Sequence, residues 1–267
     1  MSLLFHGDRK ILIGVVHLGP LPGAPRWQGT LDPVLRMALR DAGAFERGGA
    51  DAIIIENFGD APFAKSAVGP ETVAAMAVIG RLVRDNIRLP IGFNVLRNDP
   101  KASLALCAAC DGKFIRVNVH TGAMLTDQGI IEGNAYETLR CRENLGLDAE
   151  ILADVHVKHA SPLGSQRIED AARDTLERGL ADALIVSGTG TGVAPSLADL
   201  EAVRSACPAA KILIGSGVTI ENASEFLVLA NGVIVGSSLK EGGCIKNAVD
   251  PVRVEALTRV VRGRAPR

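Results

Sequence analysis

Aromatic residues are scarce in this chain: Phe, Tyr and Trp make up 3% of its 267 residues. A core must therefore come from Val, Ile, Leu and Ala, which suits parallel strands covered on both faces by helices. Charge of one sign is lacking too. The formal net charge is −1, and lysines and arginines are scattered rather than gathered into a stripe, which argues against a nucleic-acid partner. No apolar run reaches membrane-spanning length, so no integral membrane segment is expected, and the first residues show no cleavable signal pattern. Cysteines are few and spread out, at Cys107, Cys110, Cys141, Cys207 and Cys244. A reduced, cytoplasmic setting is the simplest expectation. Cys107 and Cys110 form a C-x-x-C inside the helical run Ala102–Ala109, without a second pair or nearby His to complete a zinc site. Packed small apolar residues are expected there.

What is present is an alternation. Apolar runs of strand length occur at Ile11–His17, Ala52–Asn57, Pro90–Leu96, Lys113–Asn118, Glu150–His156, Asp182–Ser187, Lys211–Gly215 and Gly232–Gly236. Helical spacing fills the intervals at Pro33–Arg47, Glu71–Arg84, Pro100–Ala109, Ala135–Leu145, Ile168–Arg178, Ser196–Ala206 and Ile220–Leu229, and again at Pro251–Arg262. Eight strands each followed by a helix predict an α/β fold, a single (β/α)₈ TIM barrel spanning residues 1–267. A repeat supports the count: Asp51, Asp111, Asp182 and Asn231 introduce every second strand, as short polar turn residues suit tight αβ turns. The αβ turns are short, whereas the loops Leu18–Asp32, Phe58–Pro70, Val119–Asn134 and Val157–Gln166 are long. These fall on the C-terminal face, where barrels of this kind place their chemistry. Val119–Asn134, with three glycines and Met124 and Leu125, is expected to act as a mobile lid.

Polar residues inside the strands sharpen the location. Outward positions of a barrel strand pack on helices, so polar side chains must face in or lie at the rim. That parity sends His17, Glu56, Asn94, Arg116, Asn118, Asp154 and His156 to the inner rim, with Lys158 in phase and Ser187 at a strand end. Glu56, Asp154, His156 and His17 are the candidate acid and base groups. Asn94, Arg116, Asn118, Lys158 and Ser187 are candidates for holding substrate oxygens. Lys158 serves either as a rim cation for an anionic substrate or, if desolvated, as a Schiff-base amine. The sequence requires no cofactor. The carboxylates and imidazoles leave a divalent metal open, but no local H-x-x-x-H spacing supports one.

Glycine-rich turns follow the last strands, in Ser187–Gly192, Gly215–Thr219 and Gly236–Lys240. Glycine lets backbone N–H groups approach an oxyanion, and Thr219 is expected to cap a helix beginning at Ile220. Phosphate sites in this fold often follow strands seven and eight. Gly215, Gly217, Gly236 and Ser237 are therefore the expected phosphate ligands. Gly188–Gly192 lacks the Gly-Lys-Ser/Thr ending of a P-loop, and it follows a late strand rather than opening a first βαβ unit.

Several runs carry a resemblance: Gly14–Gly23, Ile55–Phe63, Asn94–Asp99, Lys113–Asn118, Thr126–Asn134, Ala153–His159 and Asp250-Pro251. Together they resemble the BtpA/SgcQ family across nearly the whole chain. The family is named for a factor needed for photosystem I accumulation and has members where no photosystem exists. The resemblance implies the barrel and a shared site. The expected function is an enzyme acting on a small phosphorylated metabolite such as a sugar phosphate, by isomerase, aldolase or lyase chemistry. The alternative is a non-catalytic assembly or stability factor of the photosystem I biogenesis type. Association into homo-oligomers is left open.

Overall fold

Runs of Val, Ile and Leu with no polar face must be covered on both sides, and here they are. The computed structural model describes residues 2 and 4–263. In chain order the strands are β1 (Ile11–His17), β2 (Ala52–Glu56), β3 (Ile91–Asn94), β4 (Phe114–Val117), β5 (Ala123–Thr126), β6 (Gly129–Glu132), β7 (Glu150–Val155), β8 (Ala160–Pro162), β9 (Ala183–Val186), β10 (Ile212–Ile214) and β11 (Gly232–Val235). Eight of them close a parallel barrel in the order β1-β11-β10-β9-β7-β4-β3-β2. The helices are α1 (Asp32–Arg47), α2 (Pro70–Asn86), α3 (Pro100–Cys110), α4 (Ala135–Asn144), α5 (Ile168–Arg173), α6 (Leu197–Ala206), α7 (Ala223–Phe226) and α8 (Pro251–Val261). This is the expected (β/α)₈ architecture.

Two apolar cores result. One lies between strands and helices, and includes Val16, Phe45, Ile53, Phe93, Leu184 and Leu257. The other fills the barrel, where Ile13, Ile54, Phe114, Leu152, Ile185 and Leu213 interdigitate and Leu4 and Phe5 join from below. The repeated turn residues acquire a physical role at this lower rim. Asp51 accepts the N–H of Leu12 at 2.9 Å, Asp182 that of Ile151 at 2.8 Å and Asn231 that of Ile212 at 3.0 Å. Each thus satisfies a backbone donor at the start of the neighbouring strand. Asp111 differs: it takes the left-handed conformation at the end of α3 and pairs with Arg84 and Lys113.

Two expectations need correction and one gains detail. The segment expected to act as a lid, Val119–Asn134, contains the antiparallel hairpin β5–β6, which β8 extends to a three-stranded flap. Met124 packs with Val119, Ile131 and Val157 in a core of the flap's own, while Leu125 faces solvent. The helix expected at Ile220–Leu229 is reduced to α7. Asn222 accepts the Thr219 N–H at 2.8 Å and donates to the Gly217 carbonyl at 3.0 Å, so the chain turns before the helix starts and Asn222, not Thr219, precedes it. The helix expected to Arg178 opens into a wider π turn over Asp174–Arg178. The cysteine expectation fits the packing: Cys107 and Cys110 are buried, and their Sγ atoms meet the carbonyls of Phe114 and Ala77.

Candidate active site

The inward parity of the strands continues above the apolar layer. His17 follows Ile13 and Val15, Glu56 follows Ile54, Arg116 follows Phe114, Asp154 follows Leu152 and Ser187 follows Ile185. Register sets His17 beside Glu56 and Glu56 beside Asn94. These polar groups form two tiers.

The lower tier is closed. Arg116 forks onto Asp154, with Nε donating to Oδ2 at 2.8 Å and Nη2 to Oδ1 at 2.9 Å. Ser187 Oγ donates to Oδ1 at 2.7 Å and Asn118 Nδ2 to Oδ2 at 3.3 Å. Asn94 Nδ2 donates to Asn118 Oδ1 at 3.0 Å and to the Arg116 carbonyl at 3.2 Å. Burial works against the Arg116 charge, but the Asp154 carboxylate outweighs it and holds the guanidinium above its usual pKa. Asp154 was a candidate proton carrier, yet its four acceptor positions are all engaged. The geometry makes it the anchor of Arg116, Asn118 and Ser187. Asn94, Arg116 and Ser187 lie in this floor; Asn118 belongs to it and also reaches the space above.

The upper tier is open. It faces a cavity of about 630 Å³ lined by His17, Glu56, Asn118 and Lys158, together with residues the sequence reading did not single out. The Glu56 carboxylate is 4% exposed and approaches His17 Nε2 at 3.9 Å. No hydrogen bond holds it among the described residues. His17 is neutral: burial, with Lys240, Lys158 and Arg116 adding to it, lowers its pKa to about 3. Its ring packs on Phe58 with centroids 4.8 Å apart. Burial also lowers the pKa of Lys158, with Glu56 opposing the shift.

His156 does not join this set. The chain leaves the strand after Val155 and His156 adopts φ 53°, which breaks the alternation that would have turned it inward. It lines no part of the cavity, and Asp199 at the start of α6 is the charge that acts on it. Among the described residues no group of three or more His, Cys, Asp and Glu side chains is placed to hold a metal ion.

The expected phosphate ligands divide. Gly217, Gly236 and Ser237 line a separate pocket of about 320 Å³ beyond β10 and β11, with Thr219, Ser238 and Arg253. Gly215 does not, since its N–H donates to the Val186 carbonyl at 2.9 Å within the sheet. Gly217 takes φ +65° against the backbone of Val193 and Ala194, and a Cβ on Gly236 would lie 2.4 Å from the His17 ring. Gly236 therefore joins the two pockets, for it borders one and supports the imidazole of the other.

Sequence reasoning missed four charged contributors to the mouth. Arg26 comes from the loop after β1, Arg97 follows β3, Asp127 sits at the tip of the β5–β6 hairpin, and Lys246 arrives from the loop after β11. None lies on a strand, so parity could not find them. The loop that brings Lys246 is held by a buried pair, Lys240 Nζ to Asp41 Oδ2 at 2.9 Å, with Lys240 also donating to the Asn247 carbonyl at 3.1 Å. Cations predominate around the cavity: Arg26, Arg97, Lys158 and Lys246 face Glu56 and Asp127.

Comparison with known proteins places the chain in a lineage. The model of the BtpA family matches residues 8–263. The photosystem I biogenesis protein BtpA of Synechocystis is 51% identical over 92% of this chain and 85% of its own. The putative sgc region protein SgcQ of Escherichia coli is 37% identical over 93% of this chain and 92% of its own. Solved barrels are similar in shape alone. Phosphoribosyl anthranilate isomerase from Thermus thermophilus has a TM-score of 0.55 at 14% identity, covering 95% of this chain and 98% of that one. A structure described as native KDPGal has a TM-score of 0.57 at 16% identity, covering 94% of each chain. Among the described residues no helix is long and apolar enough to cross a membrane. By the extent of the family match and the identity of its relatives, the chain belongs to the BtpA family.

Proposed function

We propose that the protein is an enzyme that moves a proton on a small phosphorylated metabolite, in isomerase, aldolase or lyase chemistry. The observation that carries this reading is the Glu56 carboxylate, buried in the open tier that lines the cavity and engaged by no hydrogen bond among the described residues. A carboxylate kept free of partners in a partly desolvated site is suited to general-base work. His17, neutral and adjacent, is suited to donate a hydrogen bond to a substrate oxygen, and Lys158 offers a cation for developing negative charge. The cavity volume falls within the range of small-molecule sites. Phosphate would be held by Gly217, Gly236, Ser237 and Arg253. Isomerase is the activity named for the similarly folded Thermus barrel, which supports the reading by fold analogy.

The test is hydrogen exchange at carbon. Common aldose and ketose phosphates are incubated with the protein in D₂O and followed by proton NMR. Deuterium uptake into one of them, lost in Glu56→Gln while the fold is kept, is the expected result. Absence of uptake into any of them sinks the proton-transfer assignment.

A second reading, a non-catalytic assembly role, takes support from the name of the Synechocystis relative and from one surface feature. Leu125 and Ile130 are cross-strand partners on the flap and both are exposed, with Leu163 nearby. Exposed Val78, Tyr136 and Val252 lie on three different helices and make no such group. Leu125→Ser with Ile130→Ser leaves exchange activity intact under the first reading and removes the partner contact under the second.

A further inference from the structure

Among the described residues the buried cations are paired with carboxylates, with one exception. Arg116 is held by Asp154 and Lys240 by Asp41. Arg97 is 4% exposed, as buried as they are, and has no ion-pair partner among the described residues. Its Nη2 donates to the Lys158 carbonyl at 2.5 Å, and the side chain borders the cavity. Lys158 borders it as well and likewise has no ion pair among the described residues. Leaving a charge buried without a partner is costly, so Arg97, with the half-buried Lys158 beside it at the same cavity, needs a reason.

The charges that face them do not neutralise them. Asp154 acts on both, but its acceptor positions are engaged by Arg116, Asn118 and Ser187. Glu56 and, from the hairpin tip, Asp127 act on Arg97 without forming an ion pair, while Arg116 repels it. The surplus around the cavity is positive, four cations against two carboxylates.

We propose that Arg97 and Lys158 form an oxyanion subsite, which takes a phosphoryl or carboxylate group of the substrate. A guanidinium presents donors in a fork that suits either group. The subsite lies across the mouth from the glycine pocket. Arg97 and Lys158 follow β3 and β7, the strands that flank β4, and β4 is four places from β11 in the ring of eight. Along the arc from β11 to β3 stand β1 and β2, which carry His17 and Glu56. A substrate anchored at both ends would lay its middle over Glu56. The class is then a small metabolite with two anionic ends, a bisphosphate or a phosphorylated acid. The second anion rests on the phosphate placement proposed above; the Arg97–Lys158 subsite does not.

Calorimetric titration of the folded chain with inorganic phosphate, and separately with malonate, tests it and tells phosphoryl from carboxylate preference. Arg97→Met is expected to weaken binding of the preferred anion at one site by roughly 10- to 100-fold, and Arg97→Lys to restore part of it. A merely structural Arg97, tethering the Lys158 loop, would leave anion binding to a folded Arg97→Met unchanged, and that result overturns the proposal. So does a wild-type chain that binds neither anion. If Arg97→Met does not fold, Lys158→Met reads the same site, because its ammonium is held by no described hydrogen bond. Arg253→Met reports on the glycine pocket alone. Binding lost in Arg97→Met but untouched in Arg253→Met keeps this subsite and refutes the phosphate placement.

Discussion

The two rims of the barrel use the same residue types in opposite ways. At the lower rim, polar side chains are fully employed: Asp51, Asp182 and Asn231 each accept a strand N–H and each also meets an arginine, Arg9, Arg142 and Arg204. At the upper rim, Glu56 and Arg97 are buried more deeply and Lys158 is half-buried. Yet among the described residues Arg97 and Lys158 have no ion pair, Glu56 meets only the neutral His17, at 3.9 Å, and His17 Nδ1 is buried without a partner. Satisfied polar groups contribute stability, whereas unsatisfied ones reduce it and persist where a ligand completes them. The boundary between the two regimes runs through the site itself, between the closed Asp154 network and the open Glu56 tier.

The sharpest way to break this comparison is to open the closed tier. Asp154→Asn removes the partner of a buried guanidinium and is expected to cost roughly 3–5 kcal/mol. Replacing Arg116 by Met in the same background should recover much of it. Denaturant midpoints of the single and double variants measure both. Equal stability of Asp154→Asn and wild type would show that the network is not what holds this floor together.

Acid separates the tiers next. Above pH 6.5, the ordinary His value, His17 is neutral in folded and unfolded chains alike, so it contributes no pH dependence. Below it the unfolded chain takes up a proton that the folded chain refuses until about pH 3, so stability falls as pH falls. By pH 4.5 the loss from this residue amounts to about 3 kcal/mol. Comparing wild type with His17→Gln at pH 7 and 4.5 isolates it from the other histidines. A pH dependence that is the same in both proteins would mean that His17 titrates normally.

Much of this was legible in the sequence, for identifiable reasons. The barrel follows from strands with apolar residues on both faces, and β1 and the cores of α1, α2, α3 and α8 lie where periodicity placed them. His17, Glu56, Asn94, Arg116, Asp154 and Ser187 were legible because strand parity is strict while the strand lasts. Parity fails where the strand ends, which is why His156 was misplaced by one left-handed residue. It is silent on loops, so Arg97, Asp127 and Lys246 went unseen. Which carboxylate is spent and which is free depends on partners contributed by other strands, and no local pattern records that.

The lower rim gives a smaller expected effect. Asp182→Ala leaves the Ile151 N–H without its acceptor and should cost about 1–2 kcal/mol. Asp51→Ala should cost a similar amount through Leu12. Neither is expected to alter phosphate binding, since both residues lie at the far end of the barrel. A change in phosphate affinity in either variant, read by the same titration, would show that the two rims are coupled.

The smallest stability effect is expected for Glu56→Gln, and its smallness is the point. An ionised Glu56 is attracted by Lys158, Arg116 and Arg97, which favours keeping it. It is also buried with no side-chain hydrogen bond among the described residues, which costs stability. Replacing it by an isosteric amide removes both contributions, and the net change is expected to stay within about 1 kcal/mol of zero. Lys158 gives an independent reading, because Glu56 is the first charge raising its pKa against burial. In Glu56→Gln the ammonium should deprotonate at lower pH than in wild type, visible as faster reductive methylation of Lys158 at neutral pH by peptide mass spectrometry. A loss as large as that of Asp154→Asn would place Glu56 with the structural carboxylates, and the contrast between the two tiers would fall with it.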